Sequence, residues 1–266
     1  MADPTRLLLT REDGVLWIRL NRPEHGNSID PVMRTELCAV FGDADADPAV
    51  RAIVVTGVGN DFCTGADLAA SPGNAPGGTV SPLDYRRSLE PYQDLFRTYW
   101  ELETPVVSAI NGTIAGAGWM LGLLADLVVA AAGARWVHAF ARRGMVPHAG
   151  DPFFLPRILP FHKLNEAALT GERFTSETLY EWGAVNRLVP ADEVTETARQ
   201  LSVKLATGPT RSLGQTKRLY RRSLVSDMIT SFAEEAAATA LVSQTHDRIE
   251  GVKSLLEGRP AVFTGE

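Results

Sequence analysis

PVVSAINGTIAGAGWMLGLLAD, residues Pro105–Asp126, is the stretch that decides the fold. Val106-Val107-Ser108-Ala109-Ile110 is a short apolar run with β-branched residues, the pattern of a buried strand. Asn111-Gly112 breaks that run as a turn. Gly116-Ala117-Gly118 follows, and then Trp119-Met120-Leu121-Gly122-Leu123-Leu124-Ala125, the pattern of a buried helix. A strand, a small-residue turn and a helix N-terminus together present unpaired backbone N–H groups, and the helix dipole favours negative charge there. Small side chains let a ligand come close to the backbone. Tight packing of helix on strand would explain the same residues if they stood alone.

They do not stand alone. Ile53-Val54-Val55-Thr56-Gly57 is a second strand, and it runs into Val58-Gly59-Asn60-Asp61-Phe62-Cys63-Thr64-Gly65-Ala66-Asp67-Leu68. Two strands that each end in a small-residue turn can aim two N–H groups at one oxygen, which makes an oxyanion hole. The segments GNDFCTGADL (Gly59–Leu68) and NGTIAGAG (Asn111–Gly118) resemble the two signature segments of the crotonase (enoyl-CoA hydratase/isomerase) superfamily. Asn21-Arg22-Pro23-Glu24-His25-Gly26-Asn27 resembles its N-terminal segment. Thr170-Gly171-Glu172-Arg173-Phe174 with Gly183-Ala184-Val185-Asn186-Arg187-Leu188-Val189-Pro190 resembles a later one. The match runs from about residue 5 to the C-terminus in order and spacing, and it is specific for the superfamily rather than for one reaction.

The resemblance implies an α/β fold, a crotonase-like spiral of ββα units with a C-terminal helical trimerisation region. Residues 1–200 would form the core and 201–266 a helical region of the same unit. It implies an acyl-CoA substrate, no cofactor beyond the coenzyme A that the substrate carries, and a homotrimer or dimer of trimers. The backbone N–H groups of Ala66 and Ala117 would hold the thioester oxygen, flanked by Gly65, Asp67, Leu68, Gly116 and Gly118. Glu24 and His25 would lie near the CoA phosphates. A polarised thioester has an acidic α-carbon, so the hole would stabilise an enolate. Each donor in such a hole is worth roughly 2.7–4 kcal/mol.

The side chains depart from the pattern. Hydratases of the family use two glutamates as general acid and base. Met120 and Phe140 occupy the matching positions, and neither transfers a proton. Between Thr113 and Gly150 the only acidic residue is Asp126, which reads as a structural cap or ion-pair partner. Standard two-glutamate hydration is therefore not expected. The resemblance still implies a hydratase/isomerase-family enzyme, with double-bond isomerisation or hydration through a non-standard base, decarboxylation of a malonyl-type acyl-CoA, and C–C or thioester hydrolysis as its possible reactions; a catalytically silent acyl-CoA-binding protein is the alternative. His148 is the side-chain candidate for a base, because neutral imidazole accepts a proton near pH 7. Asp151 would orient it or cap the helix beginning at Pro152; a structural or substrate-contact role for His148 is the alternative. His138 lies two residues before Phe140 on an expected strand and would share its face. Trp119, Met120 and Phe140 form either a bulky apolar wall for the acyl group or plain core.

Composition sets the outer bounds. The chain has 266 residues and a formal net charge of −6, which argues against general affinity for nucleic acid. No apolar run is long enough to span a membrane, and the N-terminus has no signal-peptide pattern. Cys38 and Cys63 make neither a disulfide framework nor a metal spacing, so a cytoplasmic location and no metal are expected.

Along the rest of the chain, residues 6–11 and 15–20 form an expected hairpin about Asp13-Gly14. Asp30-Pro31 opens a helix running to about Ala44, with Met33, Leu37, Val40 and Phe41 on one face. Residues 69–83, rich in Pro, Gly, Ser and Ala, are expected to be a mobile loop, and the resemblance puts the substrate lid there. A helix follows over 84–102. Strands are expected at 127–131 and 136–140, and helices over 151–158, 161–169, 176–182, 191–206, 209–224 and 228–256.

Overall fold

A computed structural model describes residues 5–70 and 80–266 of the chain. Strands β1 (Leu7–Glu12) and β2 (Val15–Leu20) form the expected hairpin, with Asp13 and Gly14 at positive φ in the turn. Helix α1 (Pro31–Ala46) starts as its sequence dictates: Asp30 Oδ1 accepts the Met33 N–H at 2.7 Å, and Pro31 occupies the first turn. Met33, Leu37 and Phe41 are buried at its core face.

The spiral follows. Strands β3 (Ala52–Gly57) and β4 (Asp61–Cys63) lead to α2 (Pro82–Glu101); β5 (Val106–Ile110) and β6 (Thr113–Ala115) lead to α3 (Ala117–Leu123); β7 (Leu127–Ala131) and β8 (Arg135–Val137) lead to α4 (Asp151–Ile158). The first strand of each pair joins one sheet and the second joins another. With α5 (Phe161–Thr170), β9 (Arg173–Thr175), α6 (Ser176–Glu181) and β10 (Arg187–Val189) added, the sheet orders are β1-β2-β3-β5-β7-β10 and β4-β6-β8-β9. From β2 to β10 the larger sheet is parallel.

From β2 to β7 the larger sheet is buried on both faces, as its nearly unbroken apolar strands require, while the edge strand β1 is mostly exposed. Ile53, Val55, Val106 and Ile110 face the main core, with α1, α2 and α3. Their neighbours Ala52, Val54, Val107 and Ala109 face a second core completed by α7 (Val194–Ala206). The remaining helices are α8 (Thr210–Ser223), α9 (Met228–Ser243) and α10 (His246–Glu257). The continuous helix expected over 228–256 is in fact two. Thr245 breaks it by capping α10, its hydroxyl accepting the Arg248 N–H at 3.2 Å.

Two other expectations change. The strand expected over 136–140 ends at Val137, so His138 and Phe140 are not strand neighbours on one face. Helix α2 begins at Pro82 behind its cap Ser81. Most of the lid expected at 69–83 lies outside the described residues.

Asp126 anchors α8. Its carboxylate accepts the Val106 N–H at 2.8 Å, Lys217 Nζ at 2.7 Å and Arg221 at 2.9 Å, the structural role expected of it. Among the described residues no helix is long and apolar enough to cross a membrane, and no group of acidic, His and Cys side chains could hold a metal.

Candidate active site

The two small-residue turns meet. Gly65, at φ +96°, lies so close to the second turn that a β-carbon on it would stand 2.8 Å from the Ala115 carbonyl oxygen and 3.1 Å from the Ala117 nitrogen. Only glycine fits there. Ala66 follows it in a parallel bridge with Ile29: the Ile29 N–H donates to the Gly65 carbonyl at 2.8 Å, and the Asp67 N–H to the Ile29 carbonyl at 3.0 Å. That pattern passes over the Ala66 N–H. Ala117 is the first residue of α3, where an N–H has no partner within the helix. Among the described residues neither the Ala66 nor the Ala117 N–H has a protein acceptor. Both residues line one cleft.

The turns are held from behind by the Asn21–Asn27 segment. Arg22 is 6 % exposed; it donates to Asp67 Oδ2 at 3.0 Å and to the Ser28 carbonyl at 2.7 Å. Its Nε lies 3.4 Å from Asp30 Oδ2, within ion-pair range but outside hydrogen-bond geometry. Burial alone would raise the Asp67 carboxyl, but hydrogen bonds from Arg22 and the Ala69 N–H outweigh it and hold the pKa below the usual carboxylate range. Asn27, at φ +53°, accepts the Arg22 N–H and donates to the carbonyls of Val58 and Asp61 at 2.9 and 2.7 Å.

The opposite wall comes from α2 and from residues 140–149. Tyr92 donates its hydroxyl to the Ile29 carbonyl at 2.9 Å, and the Arg34 guanidinium stands 4.9 Å from its ring. Burial pushes the Tyr92 phenol up to about 12, so it is a donor and not a base near neutrality. Phe140, Arg143, Met145, His148 and Ala149 line the cleft that holds Ala66 and Ala117. His148 Nδ1 is 3.0 Å from the Val146 carbonyl oxygen. A carbonyl only accepts, so Nδ1 carries the proton and neutral His148 keeps its lone pair on Nε2.

The structure thus brings Gly65, Ala66, Leu68, Gly116, Ala117, Phe140 and His148 around one cleft, with Asp67 lining its outer extension. Gly118 serves packing: a β-carbon there would lie 2.2 Å from the Cys63 carbonyl oxygen. Met120 is fully buried in the core, as is Trp119, so of the three residues expected as an apolar wall only Phe140 reaches the cleft. Glu24 and His25 sit exposed on a 3₁₀ turn, and the cleft does not include them. Cys63 is buried, and burial pushes its thiol up to about 12, which makes it inert. The Asp151 carboxylate does not pair with the His148 ring, and it does not cap α4 either. It is 2.8 Å from Nε2 of His138, and both side chains are almost wholly buried.

Sequence reasoning gave Arg22 no role of its own. It also passed over Arg143 and Met145. No local signal marks the last two, because only the path of the loop after β8 turns them toward the cleft.

A family model described as enoyl-CoA hydratase/isomerase matches residues 10–266. The chain belongs to that family. It is 34 % identical over 260 residues to 1,2-epoxyphenylacetyl-CoA isomerase of Escherichia coli K12, covering 96 % of this chain and 97 % of that relative. It is 33 % identical over 267 residues to carnitinyl-CoA dehydratase of the same strain, covering 97 % and 98 %. Among solved structures, an enoyl-CoA hydratase from Bacillus anthracis superposes with a TM-score of 0.90 at 26 % identity, covering 98 % of this chain and 100 % of that one. The enoyl-CoA hydratase/isomerase family is one of acyl-CoA enzymes, and this crotonase-fold chain is an enzyme of that kind.

Proposed function

We propose that this enzyme stabilises the enolate of an acyl-CoA thioester between the Ala66 and Ala117 N–H groups, with His148 Nε2 accepting the α-proton. One observation carries the reading: two unpaired backbone donors on abutting turns line the same cleft. Fixed donors of this kind favour charge that develops during reaction, which a simple binding protein does not need. Phe140 stands where hydration would want a carboxylate, and Tyr92, Phe140 and Met145 favour a ring-bearing acyl group. The name of one relative, 1,2-epoxyphenylacetyl-CoA isomerase, agrees with that preference.

The experiment is deuterium exchange at the α-carbon of phenylacetyl-CoA in D₂O, followed by mass spectrometry. The expected result is exchange well above the spontaneous rate, reduced about 10²-fold or more by His148→Ala, the usual contribution of a general base. Crotonyl-CoA should be hydrated far more slowly than it is by two-glutamate enzymes. Tight binding of phenylacetyl-CoA with no exchange would overturn the catalytic reading and leave the silent binding protein.

A second reading, decarboxylation of a malonyl-type acyl-CoA, is favoured by the charge of the cleft. Among the described residues the one acidic residue lining it, Asp67, is paired with Arg22, while Arg143 and Arg34 bring cations. Loss of CO₂ would generate the enolate without a base, and release of CO₂ from malonyl-CoA tests it.

We also propose that residues 201–266 form one unit with the core and build a trimer or a dimer of trimers. Ile229, Phe232 and Leu241 on α9 are exposed at 76, 61 and 62 %, an apolar surface that assembly would cover. Light scattering of the purified protein decides this: a monomer would overturn it.

A further inference from the structure

The His138–Asp151 hydrogen-bonded pair is almost wholly buried, at 0 % and 4 % side-chain exposure, and the proposed chemistry does not use it. The two residues bracket the loop that forms the cleft wall. His138 follows the end of β8, and Asp151 opens α4. Between them lie Phe140, Arg143, Met145, His148 and Ala149, all of which line the cleft.

Three further features tie the pair to His148. The backbone N–H of Asp151 donates to the His148 carbonyl at 3.3 Å, so one residue is held by His138 through its side chain and holds His148 through its main chain. Between them, Ala149 has φ +61° and Gly150 has φ +91°. A non-glycine residue in that region is sterically strained and persists only where its surroundings over-determine it. Finally, a file of rings runs outward from the core: Trp119 to His138 at 5.4 Å, His138 to Phe140 at 5.1 Å, and Phe140 to His148 at 4.9 Å between centroids.

We propose that the buried His138–Asp151 pair is the positioning element for His148: it closes the cleft-wall loop at both ends and holds the Ala149 turn in the strained form that presents His148 to the cleft. His138 Nδ1 has no partner among the described residues. The ring is therefore oriented by a single polar contact, to Asp151, and by packing against Trp119 and Phe140. Removing either partner frees the loop at one end and lets Ala149 relax.

This inference rests on the reading of the cleft as an acyl-CoA site, and the test separates the two. The protein has five histidines, so ¹⁵N-histidine labelling with single-residue assignment gives a resolved imidazole spectrum. In His138→Leu and Asp151→Ala the His148 signals should shift or broaden while those of His25, His162 and His246 stay in place. In the phenylacetyl-CoA exchange assay kcat should fall about 10²-fold with KM little changed, the scale of a misplaced catalytic group. His138→Gln, whose amide can still donate to Asp151, should retain most of the activity. Adding Ala149→Gly to Asp151→Ala should sharpen the contrast by lowering kcat further, since glycine loosens a turn that has lost its clasp. Should His138→Leu not fold, Asp151→Ala carries the same readouts with the imidazole in place. Unmoved His148 signals in the folded variants would overturn the positioning role. So would a fall in stability with kcat unchanged, which marks a merely structural pair. A wild-type protein that catalyses no exchange, yet whose His148 signals move with the variants, would overturn the catalytic reading and leave the positioning role standing.

Discussion

The two backbone turns and the 140–149 wall meet at one cleft but are held in different ways. The turns are tied by many bonds to several elements: Arg22 to Asp67, Asn27 to two carbonyls, Ile29 to both flanks of Ala66, and Gly118 packed on the Cys63 carbonyl. The wall hangs on fewer. Among the described residues His148 has one side-chain hydrogen bond, to the nearby Val146, and Arg143 lies exposed. The difference teaches where this site is fixed and where it can vary. A backbone donor needs rigidity and is indifferent to its own side chain, so Ala66 and Ala117 would serve as the proposed donors without any special chemistry. Under the proposed function, a wall of side chains would set which acyl group fits, and it could change residue by residue while the donors stay in place.

The contrast can be broken most severely at Arg22. Arg22→Met would leave Asp67 and Asp30 without their buried cation, and losing one partner of a buried pair costs about 3–5 kcal/mol. Urea unfolding should show that loss, and a change below 1 kcal/mol would mean, on the scale of exposed pairs, that the turns do not depend on this tie. Next comes Gly118→Ala. Its methyl group cannot fit against the Cys63 carbonyl, so the start of α3 must shift and carry the Ala117 N–H with it. Loss of one such donor costs about 10²–10³-fold in kcat. Exchange at the wild-type rate would show that Ala117 does not act as a donor. Least costly is Tyr92→Phe, which removes the hydrogen bond from α2 to the Ile29 carbonyl. That bond joins the wall to the turns, and a typical one contributes about 0.5–1.5 kcal/mol. Thermal unfolding should show a small loss of stability with the exchange rate nearly intact; a large loss of rate would mean that the wall positions the donors.

The donor half of the site was legible because its signal is local. A strand, a small-residue turn and a helix start are contiguous in sequence, and the helix cap at Asp30 and the hairpin at Asp13-Gly14 are equally local. The wall was legible only in part. Phe140 fell at a position the family resemblance marks and His148 was the candidate base, but neither reading of Asp151, orienting His148 or capping α4, describes its carboxylate. The error followed from judging nearness along the chain, whereas the spiral brings the end of β8 against the start of α4 and gives Asp151 to His138. Strands β4 and β6, three residues each, are too short to show a period. The division of α9 from α10 hid because Thr245 is an ordinary residue in a helical run and only its capping bond betrays the break.

The Asp126 anchor has a consequence in proton bookkeeping. Burial lowers the Lys217 ammonium from its usual 10.5 to about 8, against the pull of Asp126. Between those values the unfolded chain holds a proton that the folded chain has given up. Folding therefore releases protons to the solvent, and the contribution of this amine to stability rises with pH across the window. A refolding jump in weak buffer at about pH 9 should acidify a pH-indicator dye, and Lys217→Met should abolish that part of the signal. Between those two pH values, the lysine that fastens α8 to the sheet thus adds an acid-producing contribution to the folding of this enzyme.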